Sequence, residues 1–355
     1  MACRRPEPDA GPVRPRPASV WVAMIAATVA AGGRADPVPP WPAAAETNAV
    51  ANVGVAGGIR LAATANGQAV RCLDGDRGSV TTFDAERPGD RREVVGPRPA
   101  SSLLGVGCLP GDLVAVVGRT GAAWWLRSYR IEPGVTADPA SPLQEIALGE
   151  AGPPTEPIGV AVSSSRGWLA VTGLPAPLPP VLRAAVAGVR IGPLSDRSCP
   201  ALPEGIRPTA AAVGPRDELV LALESRPGIA GAADAAAGIG FYDLAGRERA
   251  RFATGVHDVR GIAFDRRGST LCVAGRGIAD GRTGLWRLEA TMREGRQSVR
   301  PVFLADVADP LDLVAGADRT LIMLAGGPDG PILRFDPTPS ANADRPAVDP
   351  GDAPP

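Results

Sequence analysis

The chain has 355 residues, 45% apolar and 21% charged, with a formal net charge of −1. A balance so close to neutral leaves no basic excess for phosphates, which argues against nucleic-acid binding. Forty-four Gly and 39 Pro against 4% aromatics favour many turns over long helices, with Val, Leu, Ala and Ile supplying the burial. All 37 basic residues are Arg, read either as a surface tuned to carboxylates and phosphates or as GC-rich codon bias.

The N-terminus has the order of an export signal. Arg4, Arg5, Arg14 and Arg16 precede an uncharged apolar run of 12 residues, Val20 to Ala31. Gly33-Arg34-Ala35 then places small residues where a signal peptidase cuts, so the mature chain is expected to start at Asp36 and to be periplasmic or extracellular. Twelve residues fall short of the ~20 that span a bilayer; an uncleaved anchor is the alternative, and N-terminal sequencing separates the two. Cys3 lies ahead of the apolar run, so no lipoprotein box follows it. Without residues 1–35 the chain keeps 32 Arg, 36 acids and four cysteines: Cys72, Cys108, Cys199 and Cys272. Their spacing matches no metal site, and Cys272 sits in an apolar strand as an expected buried thiol.

Beyond residue 48 the chain repeats. The fifth unit is the clearest: VRGIAF (259–264), the turn DRRG, STLCVAG (269–275), a loop with Asp280-Gly281, and GLWRLEA (284–290). The other units begin IRLAAT (59–64), LLGVGC (103–108), PIGVAV (157–162), PTAAAV (208–213) and PLDLVA (310–315). With Leu61, Gly105, Gly159, Ala210, Gly261 and Asp312 taken as equivalent, the spacings are 44, 54, 51, 51 and 51 residues. Each unit holds three or four short β-type runs and no helical period. A period near 50 is that of a β-propeller blade. The expectation is an all-β ring of six four-stranded blades, with seven as the alternative.

Third strands are expected to end in an aromatic and an acid: Phe83-Asp84, Tyr129 to Glu132, Tyr242-Asp243, Trp286 to Glu289 and Phe335-Asp336. The third unit offers only GVRIG (188–192) there. Fourth strands follow in 92–96, 143–149, 249–255 and 298–306. The sixth unit has none, and the unassigned run NAVANVGVA (48–56) is its expected donor, closing the last blade. The expected division is therefore leader 1–35, linker 36–47, propeller 48–336, and a Pro-rich disordered tail 337–355.

The runs PIGVAVSSSRGWLAVTG (157–173) and VRGIAFDRRGSTLCVAG (259–275) resemble the repeats of YVTN-type and NHL-type propellers. They are also similar to the inner strands of WD-repeat propellers. The resemblance covers roughly residues 59–336. It lacks the Gly-His and Trp-Asp of WD repeats, and has AVTG (170–173) and CVAG (272–275) at the YVTN position. It implies the fold; propellers host binders, scaffolds and enzymes alike.

Catalytic signals are sparse. His257 is the single histidine, so His-rich zinc sites are excluded and any Ser/His/Asp triad would need it. No nucleophile elbow, dinucleotide-binding fingerprint or P-loop is present. Asp74-Gly75, Asp280-Gly281 and Asp329-Gly330 read as tight turns in preference to calcium loops. Three residues before each repeat anchor stand Gly58, Ser102, Glu156, Arg207, Asp258 and Asp309. These positions are expected to ring one channel mouth. Glu156, Arg207, Asp258 and Asp309, with His257 alongside, are thus candidates for a cation or polar-ligand site; a solvated polar rim is the alternative.

The leading functional reading is a non-catalytic exported binding or scaffold module for a protein or small polar ligand, with no cofactor and no membrane association beyond the signal peptide. The alternative is a lactonase-like propeller hydrolase with a metal at the channel mouth. A redox-cofactor propeller comes third, lacking a stacking platform or axial-ligand pair.

Overall fold

The computed structural model describes residues 53–54, 58–84, 91–97, 101–196, 199–225, 238–265, 268–293, 296–317, 320–326, 331–335 and 337. The expected leader, the linker, Asp329-Gly330 and the tail beyond Pro337 lie outside them. The described residues form 24 strands and no helix, paired into six four-stranded antiparallel sheets.

Each sheet takes its strands in chain order from the inside outward, except the sixth. There Pro310–Ala315, Leu321–Ala325 and Pro331–Phe335 are completed by Val53–Gly54 from the N-terminal side. Val53 lies opposite Ile332 and Gly54 opposite Pro331. The inner strands Gly58–Ala63, Ser101–Leu109, Gly159–Ser163, Ile206–Val213, Val256–Phe264 and Pro310–Ala315 each pack on the next, and the sixth packs on the first. The result is a closed ring of six blades.

Packing follows the same symmetry. Buried apolar side chains fall into six clusters, one at each interface between consecutive blades. Second strands such as Trp168–Thr172 and Leu321–Ala325 are buried at every position. A strand with a blade on either face must be apolar throughout, so WLAVT and LIMLA show no alternation. Each such Leu or Val contributes roughly 1.5–3 kcal/mol by its burial.

Strand register revises three sequence assignments. In blade 3 the third strand is Val181–Ala187, and Arg190–Ile191 within GVRIG is the fourth. The Pro-rich link at 173–180 and the Ala-rich strand hid it. Phe83, Tyr129, Tyr242 and Phe335 lie opposite Val70, Val114, Leu219 and Leu321. The matching residue of blade 5 is Leu288, opposite Leu271, and in blade 3 it is Ala184, opposite Leu169. Trp286 instead donates from its indole to the Gly275 carbonyl (3.2 Å) and packs edge-on against Phe303. The third revision concerns the repeat anchor of blade 1, which is Arg60 and not Leu61.

Deleting residues 46–56 removes the closing strand and opens an edge. We expect a loss of roughly 2–3 kcal/mol, the worth of re-exposing one or two buried side chains such as Ile332. Deleting 341–355 should change stability by about 0.5 kcal/mol or less. Denaturant titration of both truncations checks this; equal tolerance would mean that the closure is drawn wrongly.

Candidate functional site

The inner strand of every blade is an edge of its sheet, so one side of its backbone faces the channel unpaired by any ladder. Five inner strands carry a β-bulge near their start, between Gly58/Arg60, Leu103/Gly105, Pro208/Ala210, His257/Gly261 and Pro310/Asp312. The first paired residue after the bulge is Arg60, Gly105, Ala210, Gly261 or Asp312, and Gly159 opens the strand of blade 3. Four of these six positions are therefore Gly or Ala, and the two charged ones stand on either side of the closing seam, within electrostatic reach of each other. At Gly105 a Cβ would come within 2.9 Å of Ile158, which is why this level tolerates no side chain there.

Arg60 and Asp312 use the exposed edges. Arg60 donates from Nε to the Ile158 carbonyl of blade 3 (3.1 Å) and from Nη1 to the Leu311 carbonyl of blade 6 (3.1 Å). Asp312 accepts from the backbone N–H of Leu61 across the seam and from that of Leu313, each at 2.8 Å. Burial pushes the Asp312 carboxyl up to about 6, against the opposing pull of Arg60 and the two N–H groups. Burial likewise lowers the Arg60 guanidinium; Asp312 opposes this and Arg260 adds to it.

The channel encloses a cavity of about 860 Å³. Where the inner strands begin it is lined by Arg60, Arg260, Thr209 and Asp312; where they end, by Ser163 and Asp217. Small apolar residues such as Ala161, Ala210 and Ala263 form much of the wall between. At the far mouth Asp217 (φ 62°) accepts from the hydroxyls of Ser163 (2.8 Å) and Ser165, joining blades 3 and 4. A second cavity of about 690 Å³ lies between blades 1 and 2.

None of the five residues expected at the mouth is among those lining the channel cavity. Glu156 and Arg207 form an ion pair between blades 3 and 4. Arg207 also lies 3.6 Å from Glu224, whose other carboxylate oxygen accepts from the Val259 N–H of blade 5 at 2.7 Å. Glu224 is raised by burial and by Asp258, against the pull of Val259 N–H, Arg207 and Arg260. His257 Nδ1 lies 2.9 Å from the carboxylate of Asp258, both of them well exposed. Asp309 is tied within its own blade, its carbonyl accepting from Gly326 N–H at 2.6 Å. The column thus brings Glu156 to Arg207 and His257 to Asp258, and leaves Asp309 apart.

Sequence reasoning missed Arg60, Thr209, Glu224 and Arg260. The signal was present in the repeat columns, where charged residues replace Gly or Ala, but the anchor of blade 1 was displaced by one residue. Among the described residues, no three His, Cys, Asp or Glu side chains cluster closely enough to hold a metal ion. The four described cysteines are free thiols; burial pushes Cys72 up to about 12 and Cys108 to about 11, away from reactivity. Asp74 accepts from the N–H groups of Asp76 and Arg77, and Asp280 from that of Arg282, as turn residues do.

Strand order, ring contacts and the swapped closing strand define the chain as a six-bladed β-propeller. No protein-family profile matches it, and no curated protein does. Among solved structures it is similar to a protein of unknown function from Bacteroides thetaiotaomicron (TM-score 0.44, 13% identity, 82% of this chain and 72% of that one). It is also similar to the Cps50 (Swd1) β-propeller domain of Myceliophteria thermophila (0.47, 11%, 82% and 100%). A third is the hydrazine synthase of Kuenenia stuttgartiensis (0.49, 14%, 76% and 76%).

Asp312 gives a pH test. Its folded pKa is raised from 3.8 to about 6, so in that interval the folded chain holds more proton than the unfolded one. The stability attached to this group is complete below the interval and is lost as pH rises through about 6. Glu218 and Glu224, also raised by burial, act in the same direction, so the variant Asp312→Asn is the comparator. We expect the stability difference between wild type and Asp312→Asn to shrink from about pH 4 to about pH 7 in denaturant titrations. A difference that is flat or grows contradicts the assignment.

Proposed function

We propose that this chain is a non-catalytic binding propeller that holds a small polar ligand in its central channel. The observation that carries this reading is the cavity of about 860 Å³, with small apolar walls and charged or hydroxyl groups at its two ends. That volume lies within the range of small-molecule sites, roughly 300–1,000 Å³, and so does the pattern of an apolar surface with a few placed polar groups. A hydrolytic reading built on a metal at the mouth has less support, since no donor cluster forms among the described residues. The repeats at 157–173 and 259–275 support a kinship with YVTN-type and NHL-type propellers. The N-terminal order of Arg, apolar and small residues supports a site of action outside the cytosol.

Thermal-shift screening against small neutral, anionic and cationic metabolites tests the channel reading. A ligand at a hundred times its Kd should stabilise the fold by about 2.7 kcal/mol. Ala315→Trp, which narrows the channel near the ends of the inner strands, should remove that shift while the protein stays folded. A shift that survives Ala315→Trp, or no shift from any class, would sink the reading.

A further inference from the structure

The channel is not uniform around its axis, and the asymmetry is concentrated at the bulges. In blades 1, 2, 4 and 6 the residue skipped by the register is Ile59, Leu104, Thr209 and Leu311. Ile158 stands at the matching place in blade 3, immediately before Gly159. Four blades therefore put an aliphatic side chain here, and only blades 4 and 5 depart from that.

Blade 5 departs most. Three residues, Asp258 to Arg260, stand unpaired between His257 and Gly261, while the facing strand has only Gly275 between Arg276 and Ala274. Asp258 adopts φ 50°, a left-handed conformation that strains a non-glycine residue by about 1–3 kcal/mol. Gly275 makes room for it, because a Cβ there would lie 2.8 Å from the His257 carbonyl. Bulges of this kind re-aim side chains beside functional sites. This one puts Arg260 on the cavity wall, exposed and with no hydrogen bond or ion pair among the described residues. On the neighbouring blade Thr209 lines the same cavity, is 5% exposed, and its Oγ1 has no partner among the described residues.

We propose that Arg260 and Thr209 form the head-group subsite of the channel and take the carboxylate of a small organic acid. This rests on the channel reading above and assigns the ligand class to that same site. A planar guanidinium matches a carboxylate with two parallel N–H donors, and the buried Thr209 hydroxyl gains the partner it lacks. Arg60 stands close enough to be felt electrostatically, but its Nε and Nη1 are committed to carbonyls. One uncommitted guanidinium suits a singly charged group. Glu224 lies within electrostatic reach of Arg260 and opposes a doubly charged phosphate. The alanine-rich wall then accepts the hydrocarbon of the acid.

Calorimetric titration with hexanoate and with its neutral amide, hexanamide, tests the proposal at low ionic strength. Hexanoate should bind at least tenfold more tightly than hexanamide. Arg260→Ala and Arg260→Gln should each weaken hexanoate by more than tenfold, and Thr209→Val by a smaller factor, with unfolding midpoints near wild type. Equal affinity for acid and amide, undiminished hexanoate binding in both Arg260 variants, or no hexanoate binding overturns it. If neutral ligands then still bind and Ala315→Trp still blocks them, the acid assignment falls while the channel reading stands.

Discussion

The hydrogen bond from the Leu61 N–H to the Asp312 carboxylate joins the two ends of the ring, and much else follows from it. A propeller built from consecutive repeats has one interface that chain connectivity does not hold together. Here it lies between blades 6 and 1, where the strand Val53–Gly54 and the seam contacts must do the work of a covalent link. Its apolar cluster is the smallest of the six among the described residues, with seven fully buried side chains against nine to 17 elsewhere. Polar contacts supplement it: Asp312 takes a backbone donor from blade 1, and Arg60 gives donors to carbonyls of blades 6 and 3. Arg60 and Asp312 also feel each other electrostatically across the seam, although they form no ion pair.

That arrangement also polarises the channel. Four blades keep this level small with Gly or Ala, and the Arg60 side chain reaches the Ile158 carbonyl of blade 3. The strained bulge of blade 5 adds the Arg260 guanidinium, which no group among the described residues neutralises by direct contact. At the level of the bulges the polar sector therefore spans blades 4, 5, 6 and 1, while blades 2 and 3 present Leu104 and Ile158. The Glu156–Arg207–Glu224 series holds blades 3, 4 and 5 in register outside the cavity. Ring closure and the proposed ligand site thus draw on different residues, with Asp312 and Arg60 positioned between the two.

The architecture was legible because a blade repeats its own physics. Period, turn chemistry and unbroken apolar runs such as LIMLA all point to strands covered on both faces, and Val53–Gly54, within the orphan run at 48–56, supplies the missing strand of blade 6. The site was less legible for an equally physical reason. A bulge shifts the register by one residue without leaving a mark in the hydrophobic pattern, so Leu61 was taken for the residue that is Arg60. Blade 3 misled because Ala184 stands where blades 1, 2, 4 and 6 have an aromatic. Counting three residues back from each anchor brought together Glu156 and Arg207, which pair between blades 3 and 4 and do not line the cavity.

A double-mutant cycle on Arg60 and Asp312 tests the seam most directly. Arg60→Met, Asp312→Asn and the double variant would be compared by denaturant unfolding at neutral pH. Two charges that hold one interface together should be coupled, with the double variant at least about 1 kcal/mol more stable than the sum of the single losses predicts. Strictly additive losses would mean that the two residues act independently, and that the ring is closed by the strand Val53–Gly54 and apolar packing alone.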